Sequence, residues 1–395
     1  MKVCIIVHDY LPDSTRVTAK MMHELAVEFK NFGHQVTVIT AGYKIGRNYL
    51  DLNMDGVRVL KFKSGLINSN SKLVRLINES LLSLRAWFYL KNELIDNPHD
   101  LIVFWTPSIF WGPLVRKLKK KWEAKTFLLL RDFFPQWLFD SKQLREKSLL
   151  AYFFKHYEKI CYMVSDKIGL QSPNNLTWFE NNINRHNELV LLYNWVSDAP
   201  ARENRNVYRD RLNINNKILF FYGGNIGPAQ DLTSIINLAI SLIDEKDYHF
   251  LLVGSGYDYK KIQEMISENN LKNVTLMPAV PQNEYLDILG ECDVGLICLS
   301  RLHKTHNFPG KLLNYMVQRK PILGVVNSGN DVKEVVESNG AGFISVAGDN
   351  ESLVANALRF KNPEDRKKMA ANSRNLYKKY FSISQAVETI IKVSL

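Results

Sequence analysis

Lys2–Val7 (Lys-Val-Cys-Ile-Ile-Val) and Gln35–Thr40 (Gln-Val-Thr-Val-Ile-Thr) decide the fold, together with the segment that joins them. Both are continuous β-branched apolar runs, the composition of strands buried on two faces. Between them, Val17, Met21, Met22, Leu25, Ala26 and Phe29 recur at helical spacing, and Gly33 stops the helix. A strand-helix-strand crossover implies a parallel sheet. Further strands are predicted at Val57–Phe62, Leu101–Trp105, Lys125–Leu130, Lys167–Gln171 and Leu189–Tyr193. The pattern dissolves into polar and charged residues over 199–215 and then restarts. Strands at Ile218–Tyr222, Tyr248–Gly254, Val274–Met277, Val294–Leu299 and Pro321–Val326 alternate with helices at Asp231–Ile243, Lys260–Ser267, Asn283–Gly290 and Gly310–Gln318. The expectation is an α/β protein of two tandem, doubly wound Rossmann-like domains with a ligand cleft between them. Residues 1–198 form the first domain, 199–215 a linker and 216–375 the second domain. Residues 376–395 complete a last helical stretch, Glu364–Leu395, that packs back on the body.

The 395 residues suit two domains, and 46% apolar with 23% charged residues excludes a disordered or fibrous chain. The longest uncharged apolar stretch, Leu101–Val115, is 15 residues long and broken by Pro107 and Pro113, too short to span a bilayer. The start lacks a secretory apolar core, so the chain is expected in the cytoplasm. Cys4, Cys161, Cys292 and Cys298 are scattered, which points to reduced thiols rather than disulfides or zinc. Net charge is +11, of which residues 1–198 carry +8. A basic half calls for a polyanionic partner. The basic run Arg116–Lys121 and the amphipathic stretch Lys72–Leu90 favour an anionic membrane surface, while no motif accompanies the charge that would suit nucleic acid.

Ligands of such sheets bind at the carboxyl ends of strands, so the loops there carry the candidates. After the first strand comes Asp9–Arg16, in which Ser14, Thr15 and Arg16 could meet an acceptor, or Asp13, Ser14 or Thr15 simply caps the helix. Arg131-Asp132 follows the strand Lys125–Leu130, as an acceptor-facing base with its partner or as an ion pair orienting the loop. In the second half, Gly223, Gly224, Asn225 and Gly227 form a turn whose amides could approach a phosphate, and Gly254 lies in a weaker one. Arg301–Lys311 is the densest polar loop there. His303, Lys304, His306 and Lys311 could neutralise or hydrogen-bond a diphosphate, and Asn314 lies on the helix that follows. There is no Asp-x-Asp pair, no expected metal site and no expected cofactor. The absence of Gly-x-Gly-x-x-Gly after the first strand weighs against a dinucleotide enzyme.

Taken in order, Met21–Thr40, Arg131–Trp137, Ser172–Asn174, Asn194–Val196, Gly223–Gln230, Val253–Gly256, Asn273–Pro281, Asp293–Leu299, Pro309–Pro321 and Gly329–Glu334 resemble the GT-B, family-4-like glycosyltransferases of bacterial surface polysaccharide synthesis. The likeness is strongest to transferases of L-fucosamine-type amino-deoxy sugars. It implies a retaining, metal-independent transfer from a UDP-sugar to an undecaprenyl-diphosphate-linked sugar, made by a peripheral protein on the inner face of the cytoplasmic membrane. The donor would meet Gly223, Gly224, Asn225, Gly254, Val280, His306, Lys311 and Asn314; Asp132 and Lys311 would be catalytic. Two departures stand out. Where the family commonly has Glu-x7-Glu this chain has His306 and Asn314, and where it often has Arg and Lys in the glycine-rich turn it has Gly224 and Ala229. A UDP-sugar 2-epimerase of the same fold and a non-catalytic partner of another transferase are the competing readings.

Overall fold

A computed structural model describes residues 1–14, 16–67, 69, 71–183, 187–302 and 308–394. The chain divides into two compact units: Met1–Tyr193 with Ile383–Leu395, and Asn194–Ser382. In the first unit, β1 (Lys2–Val7), β2 (Gln35–Tyr43), β3 (Tyr49–Met54), β4 (Val57–Ser64), β5 (Leu101–Trp105), β6 (Lys125–Leu130), β7 (Lys167–Leu170) and β8 (Glu188–Leu191) make one sheet. Its order is β3-β4-β2-β1-β5-β6-β7-β8, antiparallel only between β3 and β4. Every residue of β5 is buried, as its unbroken Leu-Ile-Val-Phe-Trp run requires. The edge strand β3 (Tyr-Leu-Asp-Leu-Asn-Met) instead alternates, so it escaped the search for buried runs.

The second unit holds β9 (Ile218–Asn225), β10 (Tyr248–Ser255), β11 (Val274–Pro278), β12 (Val294–Cys298), β13 (Ile322–Val326) and β14 (Gly342–Val346). They run all parallel in the order β11-β10-β9-β12-β13-β14. The strand order reverses beside β1 in the first sheet and beside β9 in the second, which places each unit's ligand crevice at the ends of those strands. Both units are doubly wound α/β domains, as expected.

Three expectations need correction. The stretch Lys72–Leu90 is two helices, Lys72–Ser80 and Leu82–Asp96, meeting at Leu81. The end of the chain is not one helix: Pro363–Leu376 and the π-helical turn Tyr377–Phe381 belong to the second unit, and Ile383–Ser394 belongs to the first. The break falls at Ser382, whose backbone is extended, where the Phe381 carbonyl accepts from the Val196 amide (3.0 Å).

The third concerns 199–215, whose polarity conceals a structural anchor. Helix Val207–Leu212 lies here, and the Glu291 carboxylate accepts the amides of Val207 (2.7 Å), Tyr208 (2.9 Å) and Arg209 (3.1 Å) at its start. The buried Arg209 guanidinium donates to the carbonyls of Glu291 and Lys217 (both 2.9 Å) and to Asp293 (2.6 Å). Arg209→Ala leaves the buried Glu291 carbonyl and the half-buried Asp293 carboxylate without their donor. We expect a loss of about 3 kcal/mol of second-unit stability, read as a fall in its unfolding midpoint in urea.

Candidate functional site

The second unit's site grows from two glycine-rich turns pressed together. Gly224 has φ +137°, a conformation that favours glycine, and a Cβ at Gly254 would lie 1.9 Å from the Gly224 carbonyl oxygen. The Ile226 amide donates to the Ser255 carbonyl (2.9 Å), and the Asp258 amide donates back to the Ile226 carbonyl (3.0 Å). Asn225 Nδ2 donates to Gln230 Oε1 (2.6 Å). Gly224 and Asn225 are exposed, so their backbone is open to a ligand.

Lys311, second residue of helix Gly310–Val317, reaches this turn. Its Nζ lies 3.6 Å from the centre of the Tyr222 ring and would stand 3.4 Å from a Cβ at Gly224. The ammonium is buried and has no hydrogen-bond partner among the described residues. Burial pushes its pKa down to about 7, with the nearby Cys298 opposing. An amine in this state gains most from an incoming anion. Asn314 lies one turn further along the same helix, and the Tyr285 ring closes over Gly223. The structure thus brings Gly223, Gly224, Asn225, Gly254, Lys311 and Asn314 together. Val280 is half-buried after the edge strand β11, two strands from β9. Tyr222 and Tyr285 were missed, because their strand and helix positions read as core.

In the first unit the loop after β1 is tied down. Ser14 Oγ donates to the buried Asp9 (2.9 Å) and accepts from the Arg16 amide (3.2 Å), and the Arg16 guanidinium stands 3.7 Å from Asp9. Asp13 pairs with Lys61 (2.9 Å), and Tyr10 bonds His23 Nδ1 (2.8 Å), whose Nε2 meets Asp55 (2.8 Å). Ser14 is therefore a strut of the loop, and it does not cap the helix, which begins at Val17 after Arg16 without a side-chain cap. His8, overlooked in the sequence, directly follows β1 beside this loop, and burial lowers its pKa to about 4, leaving a neutral imidazole.

Two strands away, Arg131 and Asp132 follow β6. The Arg131 amide donates to Thr106 Oγ1 (3.0 Å) at the end of β5, and its buried guanidinium donates to the Leu192 carbonyl (2.5 Å). Burial lowers the Arg131 pKa to about 9, against the pull of Asp132. Asp132 is exposed, yet the protein packed round its carboxyl pushes its pKa up, and Arg131 draws it back. It is an accessible acid of the loop after β6. Thr15, His303, Lys304 and His306 lie outside the described residues. Among the described residues no three His, Cys, Asp or Glu side chains gather as a metal-holding group.

With the geometry in place, comparison with known proteins assigns the second unit. Residues 204–376 match the family described as glycosyl transferases group 1. The match lies within the second unit and covers less than half of the chain. A protein of Pseudomonas aeruginosa named as a glycosyltransferase, WbjE, is 24% identical over 235 residues, 58% of each chain, so the match spans less than two thirds of that relative. A protein of Escherichia coli K12 named as a colanic acid biosynthesis glycosyl transferase, WcaI, is 25% identical over 347 residues, covering 80% of this chain and 81% of the relative. Among solved structures, HepE of Anabaena in complex with UDP aligns over 100% of this chain and 99% of its own, with TM-score 0.68 and 13% identity. Such a likeness carries the fold, and the fold is GT-B.

Proposed function

We propose that this protein is a glycosyltransferase that moves a sugar, with retention and without a metal, from a UDP-sugar to a lipid-diphosphate-linked acceptor in surface polysaccharide synthesis. The observation that carries the reading is the buried Lys311 amine, without a hydrogen-bond partner among the described residues, against the open backbone of Gly224, a cation and a glycine-rich turn converging where a diphosphate would sit. The HepE complex supports a uridine nucleotide, and the WcaI name supports polysaccharide synthesis. An amino-deoxy sugar of the L-fucosamine type is the first donor to try, and undecaprenyl-diphosphate-linked GlcNAc the first acceptor.

Catalysis then rests on position and charge. Lys311, the turn amides and Asn314 hold the donor and stabilise the departing UDP; Asp132 orients the acceptor hydroxyl. In front-side substitution the acceptor oxygen bonds to the anomeric carbon as the bond to the UDP oxygen breaks. The hydroxyl proton passes to the leaving diphosphate.

Purified protein, a panel of UDP-sugars and the lipid acceptor, followed by mass spectrometry of the lipid, test the reading. A lipid heavier by one sugar is the expected product. Sugar isomerised with no acceptor present would instead make the chain an epimerase. EDTA is expected to leave the rate unchanged, and loss of activity that Mg²⁺ or Mn²⁺ restores would overturn the metal-independent mechanism.

A further inference from the structure

The basic run Arg116–Lys121 is poorly placed to dock the protein beside a lipid acceptor. Lys119 is committed to Asp166 (2.7 Å) and the Val164 carbonyl (3.1 Å), and Lys117 stacks on the Trp87 ring (3.8 Å). Helix Gly112–Trp122 begins just after β5 and runs back along the sheet, so these lysines lie at its far end, away from Asp132.

The other end is different. Helix Leu149–Val164 opens with Leu149 (89% exposed), Leu150, Tyr152 and Phe153, all exposed. Helices Lys72–Ser80 and Leu82–Asp96 add Leu73, Val74, Ile77, Leu84 and Phe88, the last 68% exposed. Buried contacts join these helices. Ser83 Oγ donates to the Phe110 carbonyl (2.5 Å), and the Phe110 ring touches Phe153 (6.0 Å between centroids) and Tyr157 (5.0 Å). It also adjoins the acceptor loop: Phe134, two residues after Asp132, packs on Phe154 (4.9 Å). Exposed cations border it, namely Lys72 on one side and Lys142, Arg145 and Lys147 on the other, with Glu146 the one acid in 141–148.

Long apolar side chains fringed by cations match an anionic phospholipid surface, whose acyl layer takes the former and whose headgroups take the latter. We propose that this rim, and not the run Arg116–Lys121, docks the protein on an anionic phospholipid membrane, placing the Asp132 loop at the lipid surface. The proposal rests on the lipid-linked acceptor of the transferase reading and names the surface that reaches it.

All four native cysteines are buried, so a thiol-reactive, environment-sensitive fluorophore reports on an introduced cysteine. Leu149→Cys and Lys121→Cys, each labelled, are mixed with phosphatidylcholine vesicles with and without phosphatidylglycerol. Emission from position 149 is expected to rise several-fold with phosphatidylglycerol present, and emission from position 121 to stay flat. The unlabelled double variant Leu149→Glu/Tyr152→Glu, at the two most exposed positions of the helix start, should lose sedimentation with those vesicles at least ~10-fold, with UDP affinity and melting temperature held. A response at 121 but not at 149, or a double variant that sediments like wild type, overturns the proposal. So does a rim that proves to hold a second copy, seen as a dimer that the double variant dissociates without vesicles. Wild-type protein that docks but binds no UDP counts against the transferase reading alone.

Discussion

Lys311→Met lowers turnover at least ~100-fold, the scale of losing one main charge contact to a leaving group. Methionine keeps an apolar stem over the Tyr222 ring, so folding and the stack are spared while the amine is lost. The charge also predicts a pH profile. The diphosphate binds the ammonium, and in the free protein burial holds the Lys311 pKa at about 7. As pH rises above 7 the free amine deprotonates, UDP affinity falls, and each UDP bound takes up as much as one proton. Lys311→Arg, charged throughout, should abolish both the fall and the uptake, which calorimetry in buffers of different ionisation enthalpy measures directly. The same depressed pKa makes folding stability rise with pH between about 7 and the ordinary lysine value of 10.5, because the unfolded chain binds the extra proton there. A Lys311→Met enzyme with wild-type turnover at saturating donor would remove the residue from the mechanism.

Asp132→Asn should cost ~100-fold in transfer, the scale of misplacing a reacting group, while UDP affinity holds, because the residues proposed to hold the donor belong to the other unit. The split between the two readouts is the test. Activity, UDP binding and melting temperature falling together would make Asp132 a strut for Arg131.

The parallel strands were legible because burial on both faces leaves an unmistakable apolar run, as in Leu101–Trp105. What escaped was amphipathic or cryptic. The edge strand β3 alternates, and Gly342–Val346 is short and opens on a glycine. The polar stretch 199–215 gave no hint that Arg209 is buried against Asp293, 84 residues on. At the site, residue types and loop positions were readable. That Lys311 lies over Tyr222 was not, since helix and strand meet only in the fold. Nor could the sequence separate spent lysines from available ones: Lys119 and Lys120 are neighbours, one paired with Asp166 and one exposed.

The chain leaves the first unit after Tyr193 and returns to it at Ile383, and these two passages are tied to each other by the Val196–Ser382 bridge. On a ribosome, the second unit is therefore complete while the first still lacks its last helix, whose Ser384 bonds Glu28. Synthesis finishes the inserted unit before the one that begins the chain, reversing the usual order. Residues 1–193 alone leave uncovered the flank of helix Val17–Asn31 on which Ile383–Ser394 packs. Deleting 194–382 and joining the adjacent ends through a short linker should, by contrast, release the first unit as a protein able to fold alone.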